Sequence, residues 1–134
     1  MSEQASTTFI VDEWMGHSPG GRMHLRGQRC ERCGVCHWPP ATRCKACGSG
    51  DLAAITLGPE AELWSVTVDR MGTFLGRPHL VGQVRFPEGT FAQGYVDGEV
   101  DDPPPIRSAV ELVPFEVPDG DATLLTYAFK AKER

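Results

Sequence analysis

Two short cysteine pairs constrain this chain more than any other feature. Cys30-Glu-Arg-Cys33 is followed, ten residues on, by Cys44-Lys-Ala-Cys47, and each pair runs directly into a glycine, Gly34 and Gly48. A C-x-x-C-G turn curls the backbone so that both sulfurs face one point. Glycine then takes a backbone conformation, often with φ > 0, that a side chain disfavours. Two such turns brought together supply four thiolates to one ion, and protein fills every position, so the site is closed and structural. Four thiolates suit zinc first and iron second. Cys36, three residues past Cys33, breaks the symmetry of the pattern and reads as a small apolar filler. His17, His24 and His37 also fall outside it, as surface or supporting residues.

Five cysteines do not form a disulfide framework in a reducing compartment, and the chain reads as cytoplasmic. No apolar run approaches the ~18 residues that span a bilayer, and the first 21 residues show no signal-like apolar region. The 134 residues are one domain's worth of chain. Fifteen Gly and eleven Pro interrupt it too often for a helical bundle.

Charge divides the chain. Arg22, Arg26, Arg29, Arg32, Arg43 and Lys45 face only Glu31 within residues 22–47, whereas thirteen acids outnumber four arginines between Gly48 and Phe129. A basic segment on an acidic protein attracts a phosphate-bearing ligand or an acidic partner.

The N-terminal stretch, residues 1–21, reads as a docking segment, with a helical turn over Phe9 to Met15 that buries Trp14. Arg22 to Arg29 alternates as an edge strand would, and residues 22–50 form a zinc ribbon with Trp38-Pro39-Pro40 as the connector between its two turns. From residue 51 to 134 the apolar period becomes two. Strands are expected at Glu62–Asp69, His79–Phe86, Thr90–Asp97, Ala109–Val117 and Ala122–Lys130. Gly82 suggests a bulge or tight bend, and Pro114 an edge or a bulge. Five short strands with turns between them suggest a small Greek-key barrel of the OB type. Pro103-Pro104-Pro105 replaces the usual inter-strand helix with an extended loop. The fold class is therefore mainly β, a rubredoxin-like zinc ribbon followed by a five-stranded OB-fold barrel.

This order of parts resembles the acyl-CoA-associated zinc-ribbon/OB-fold family, first catalogued as a domain of unknown function. The resemblance rests on Cys30-x-x-Cys33-Gly34, Pro39-Pro40, Cys44-x-x-Cys47-Gly48-Ser49 and the strand Leu63-Trp64-Ser65-Val66-Thr67. Ala41 and Lys45 stand where members often carry Arg and Pro. The resemblance implies a small zinc-binding subunit of a thiolase-superfamily enzyme, a lipid-transfer-protein-like aldolase or a thiolase, acting on acyl-CoA thioesters. Steroid side-chain degradation is one setting, and fatty-acid or aromatic degradation another. The large subunit would supply the catalytic groups, in an assembly of two large and two small chains. Arg22, Arg26, Arg29, Arg32, Arg43 and Lys45 become candidates for coenzyme A phosphates, and Trp38, Phe74 and Leu75 candidates for partner contact.

The residues themselves offer no G-x-S-x-G, P-loop, G-x-G-x-x-G or H-E-x-x-H, so no catalytic residue is assigned. Two other readings compete. A nucleic-acid-binding module would need a basic groove with aromatic platforms, against which the acidic barrel argues. A rubredoxin-like electron carrier would need iron in the thiolate site.

Overall fold

The computed structural model describes residues 7–9, 15–17, 22–72 and 75–132, and they contain ten strands and no helix. In chain order these are β1 (Thr7–Phe9), β2 (Met15–His17), β3 (Met23–Cys30), β4 (Cys36–His37), β5 (Leu52–Leu57), β6 (Glu60–Asp69), β7 (His79–Arg85), β8 (Phe91–Val96), β9 (Ala109–Asp119) and β10 (Ala122–Ala131). Of the helical turn expected over Phe9 to Met15, both ends are strand residues, Phe9 closing β1 and Met15 opening β2; the rest, Trp14 included, lies outside the described residues.

The barrel is closed. β6 pairs with β7, β7 with β8, and β9 with both β6 and β10, all antiparallel. The parallel pair β8–β10 completes the ring, and β1 adds a short parallel strand to β10. This is the strand order of an OB barrel. Closure shortens the unpaired edges, which is how a small all-β domain avoids sticking to its copies. Residues 97–108 form the extended loop that the proline run requires, held by a Glu99–Asp102 bridge with Pro104 buried beneath it.

Two local expectations need correction. Gly82 is not a bulge: it pairs in register with Val66 and Gly94. The irregularity lies on the facing strand, between Leu63 and Ser65. Gly82 is there because a Cβ would come 2.5 Å from the Ser65 carbonyl oxygen and 2.9 Å from Val96. The second correction concerns β3, which is the middle of its sheet and not an edge. β2 and β4 pair along one part or another of it, and β5 pairs with Leu25–Cys30. The ribbon sheet thus continues through Leu57, past residue 50. Pro114 sits where β9 pairs with β10, beyond the three residues through which β9 meets β6, so it costs the ladder nothing on that side.

Ribbon and barrel share one core. Met15, Met23, Leu25 and Leu57 from the ribbon sheet pack in the same cluster as Leu63, Leu80, Val84, Phe86, Val110 and Phe129. At the surface Arg22 pairs with Glu60 at 3.0 Å and Glu111 at 3.7 Å, while Lys132 pairs with Glu60 at 3.1 Å.

Candidate metal centre

The two C-x-x-C-G segments fold into the same turn. Gly34 N–H donates to the Cys30 carbonyl (2.9 Å) and Gly48 N–H to the Cys44 carbonyl (2.8 Å). Cys30 N–H reaches the Val35 carbonyl (2.9 Å) and Cys44 N–H the Ser49 carbonyl (2.7 Å). Both glycines are left-handed, at φ 82° and 81°, which is the backbone that lets each turn close. The Arg43 guanidinium donates to the Gly48 carbonyl at 3.0 Å, and Glu31 N–H donates to the Asp51 carbonyl at 2.9 Å, tying the first turn to the chain leaving the second.

The result is a compact sulfur cluster. The Sγ atoms of Cys30, Cys33, Cys44 and Cys47 lie within 4.8 Å of one another. Cys30–Cys47 and Cys33–Cys44 are each 3.6 Å apart. A tetrahedron with Zn–S bonds of about 2.3 Å has edges of about 3.8 Å, so the four residues fit a zinc ion. Cys30 and Cys44 are buried, whereas Cys33 and Cys47 are exposed. Cys36 is outside the cluster and half-buried.

Backbone N–H groups point at the sulfurs. Cys33 N–H lies 3.4 Å from the Cys30 sulfur, and Ala46 N–H 3.3 Å from the Cys44 sulfur. The Cys33 N–H, followed by that of Arg32, holds the Cys30 thiol down to about 6 against the opposing effect of burial. For Cys33 the Val35 N–H works in the same direction, but burial and the neighbouring Cys44 sulfur outweigh it and push the thiol up to about 12. Cys44 is likewise shifted down and Cys47 up, so the cluster pairs two sulfurs that ionise early with two that resist, and a bound metal ion favours the deprotonated form of all four.

His37 breaks the two-fold symmetry. It is 2% exposed, and its Nε2 lies 3.2 Å from the Cys44 sulfur. Burial first, and then the Lys45 ammonium, lower its pKa. β4 places it there by pairing His37 with Gln28 on the strand that carries Cys30. The sequence offered His37 only as a surface or supporting residue. Its position four residues after a ligand, beside a strand that ends in another, was the available signal.

The remaining candidates scatter. Arg26, Arg29, Arg32 and Lys45 are exposed around the ribbon, while Arg22 and Arg43 are engaged by the barrel carboxylates and the Gly48 carbonyl already described. Trp38 is half-buried against the core, its ring edge-on to Tyr127 with centroids 5.8 Å apart. Leu75 lines a small cavity of about 80 Å³ with His79 and Tyr95, and Phe74 lies outside the described residues. An exposed cluster around Trp64, on the outer face of the barrel, had no signal in the sequence pattern because Arg107 reaches it from a distant loop.

Residues 19–53 match the family model of the ChsH2 rubredoxin-like zinc ribbon domain. Among solved structures, the chain is similar to one described as "Ltp2-ChsH2(DUF35) aldolase", with a TM-score of 0.62 and 27% identity over 78% of this chain and 84% of that one. A protein of unknown function from the DUF35 family of Sulfolobus solfataricus matches with a TM-score of 0.56 and 18% identity, over 81% of this chain and 76% of that one. At that identity the likeness shows the fold alone. No curated protein matches the chain in sequence. The resemblance to the zinc-ribbon/OB-fold family is borne out in both parts, and so is the fold class.

Proposed function

We propose that this chain, similar in ribbon and barrel to a chain of the Ltp2-ChsH2(DUF35) aldolase, is the zinc-binding accessory subunit of a lipid-transfer-protein-like or thiolase-like enzyme. The observation that carries the reading is the joint match: a ChsH2-type ribbon, fused in the same chain to a barrel, aligned over 84% of that structure's chain. The sulfur cluster supports a structural role for the ion, since all four ligand positions belong to protein.

In this reading the large subunit performs carbon–carbon bond chemistry on an acyl-CoA thioester, in steroid side-chain, fatty-acid or aromatic degradation, and the assembly pairs two large with two small chains in the cytoplasm. The small subunit stabilises its partner and shapes the channel for the thioester. The exposed Arg26, Arg29, Arg32 and Lys45 favour a phosphate-bearing ligand near the ribbon.

The test is to produce a lipid-transfer-protein-like or thiolase-like protein from the same genome with and without this chain. Retro-aldol cleavage or thiolysis of acyl-CoA esters is then measured. The chain is expected to co-purify stoichiometrically and to raise the large subunit's soluble activity at least tenfold. Turnover of a CoA ester by this chain alone, or a large subunit indifferent to it, overturns the proposal.

A further inference from the structure

The outer face of the barrel carries a cluster that neither the metal nor the core explains. The register shift between Leu63 and Ser65 in β6 is a bulge, and a bulge re-aims a side chain. Leu63 is fully buried, whereas the next residue, Trp64, keeps 36% of its surface exposed. The Arg107 guanidinium lies over the indole, 4.1 Å from its centroid, and that of Arg85 lies at 5.9 Å. Phe91, 38% exposed, meets the indole edge-on with centroids 5.6 Å apart.

Arg107 is held in place from two sides. Among the described residues it is the one non-glycine with positive φ, at 74°, a conformation that persists only where its surroundings over-determine it. Its N–H donates to the Leu63 carbonyl at 2.6 Å, and its Nη1 to Glu62 at 3.3 Å. Ile106 beside it is 57% exposed. An open cleft of about 240 Å³ lies next to the cluster, bordered by Glu62 and Arg85.

Between Gly48 and Phe129 the basic residues are Arg70, Arg77, Arg85 and Arg107, and two of the four converge on one indole. Exposed tryptophan, a second aromatic and arginine are the residues enriched at the energetic centre of protein interfaces. A guanidinium stacked on an aromatic plane still offers its N–H edge to a carboxylate.

We infer that the patch of Trp64, Phe91, Arg85 and Arg107 is a docking surface for an acidic segment of the large partner subunit, with partner carboxylates meeting the guanidiniums and an apolar side chain laid against Trp64. The inference rests on the accessory-subunit reading and adds where that subunit binds. Charge complementarity selects a protein carboxylate: a nucleic acid needs a continuous basic track, and the thirteen acids of residues 48–129 deny it one.

The experiment is calorimetric titration of the zinc-loaded chain with the purified lipid-transfer-protein-like subunit from the same genome. Trp64→Ala, Arg85→Glu and Arg107→Glu are each expected to weaken binding at least tenfold with zinc content unchanged. Raising salt should weaken the wild type and barely affect an Arg85→Ala, Arg107→Ala double variant. If Arg107→Glu fails to fold, Trp64→Ala and Arg85→Glu decide. Wild-type binding with all folded variants within twofold of it overturns the docking surface and leaves the accessory reading standing. No wild-type binding removes both. Trp64-dependent binding of a single-stranded oligonucleotide without binding of the subunit overturns the inference in favour of a nucleic-acid face.

Discussion

Replacing His37 by Phe should weaken zinc binding about 10- to 100-fold. The ring is 2% exposed and its Nε2 is 3.2 Å from the Cys44 sulfur. Burial, then Lys45, lower its pKa. With an ion bound, Cys44 is a thiolate and can only accept, so Nε2 must carry a hydrogen for the contact to be a hydrogen bond. A hydrogen bond to a charged group is worth roughly 1.5–3 kcal/mol, or about 10- to 150-fold in affinity at 1.4 kcal/mol per decade. The partners of metal ligands typically contribute about 10- to 100-fold. Phe keeps the ring and loses the donor, while His37→Gln carries an amide nitrogen near the same place and should retain most of the affinity. Competition against a chromophoric chelator measures the change. Cobalt substitution should show a shifted thiolate-to-metal charge-transfer band in the Phe variant alone. Phe and wild type within twofold of each other, with identical cobalt spectra, would refute the reasoning.

Cys47→Ser removes one of the four clustered sulfurs and should abolish stoichiometric metal, whereas Cys36→Ser should keep one ion per chain by elemental analysis; the reverse result would reassign the ligands. The Cys30 thiol sits at about 6, below its ordinary value of 9.0, chiefly through the Cys33 N–H. A depressed folded-state pKa contributes stability that is complete above the unfolded value and lost as pH falls through the folded one. That contribution should therefore fade as pH is lowered from 9.0 through about 6; protons also compete with metal for the thiols, Cys33 above all because its thiol is pushed up, so metal retention should fall over the same window, and a loading curve flat from pH 9 to pH 5 would contradict it. Gly82→Ala forces a Cβ to within 2.5 Å of the Ser65 carbonyl oxygen and should cost about 1–3 kcal/mol in urea unfolding; a loss below about 0.5 kcal/mol would show that β6 yields freely.

The features legible in the sequence were those written in local pattern. The cysteine spacing located the metal site because each knuckle is closed by residues within five positions of one another, as in Cys30 with Val35. The barrel strands were legible because alternation and turn residues bound them: β7 was expected at His79–Phe86 and runs His79–Arg85. Features decided by distant partners were not legible. β5, Leu-Ala-Ala-Ile-Thr-Leu, is a weak strand on its own terms and exists because Leu25–Cys30 lies beside it. Gly82 was rightly marked as unusual, yet only the facing Ser65 carbonyl explains why. Arg107 reaches Trp64 across 43 positions of chain, beyond any periodicity.

The metal site and the barrel face are joined through one core, which is why a structural metal would matter to a docking protein. β3 ends in the buried ligand Cys30 and begins with Met23 and Leu25 in the common core. Fixing its end fixes those side chains against Leu63, Phe86 and Phe129. The ion pairs of Arg22 and Lys132 with Glu60 lie at the surface, where solvent screens them and they contribute little beyond alignment, so the apolar seam carries the coupling. Leu63 is the last residue of that seam before the bulge, and Trp64 is the next residue outward. An ion bound at the four sulfurs would thus steady, through Cys30, β3 and the shared core, the strand on which Trp64 is displayed. Metal loss and loss of partner binding are then expected to travel together even though no ligand cysteine belongs to the patch.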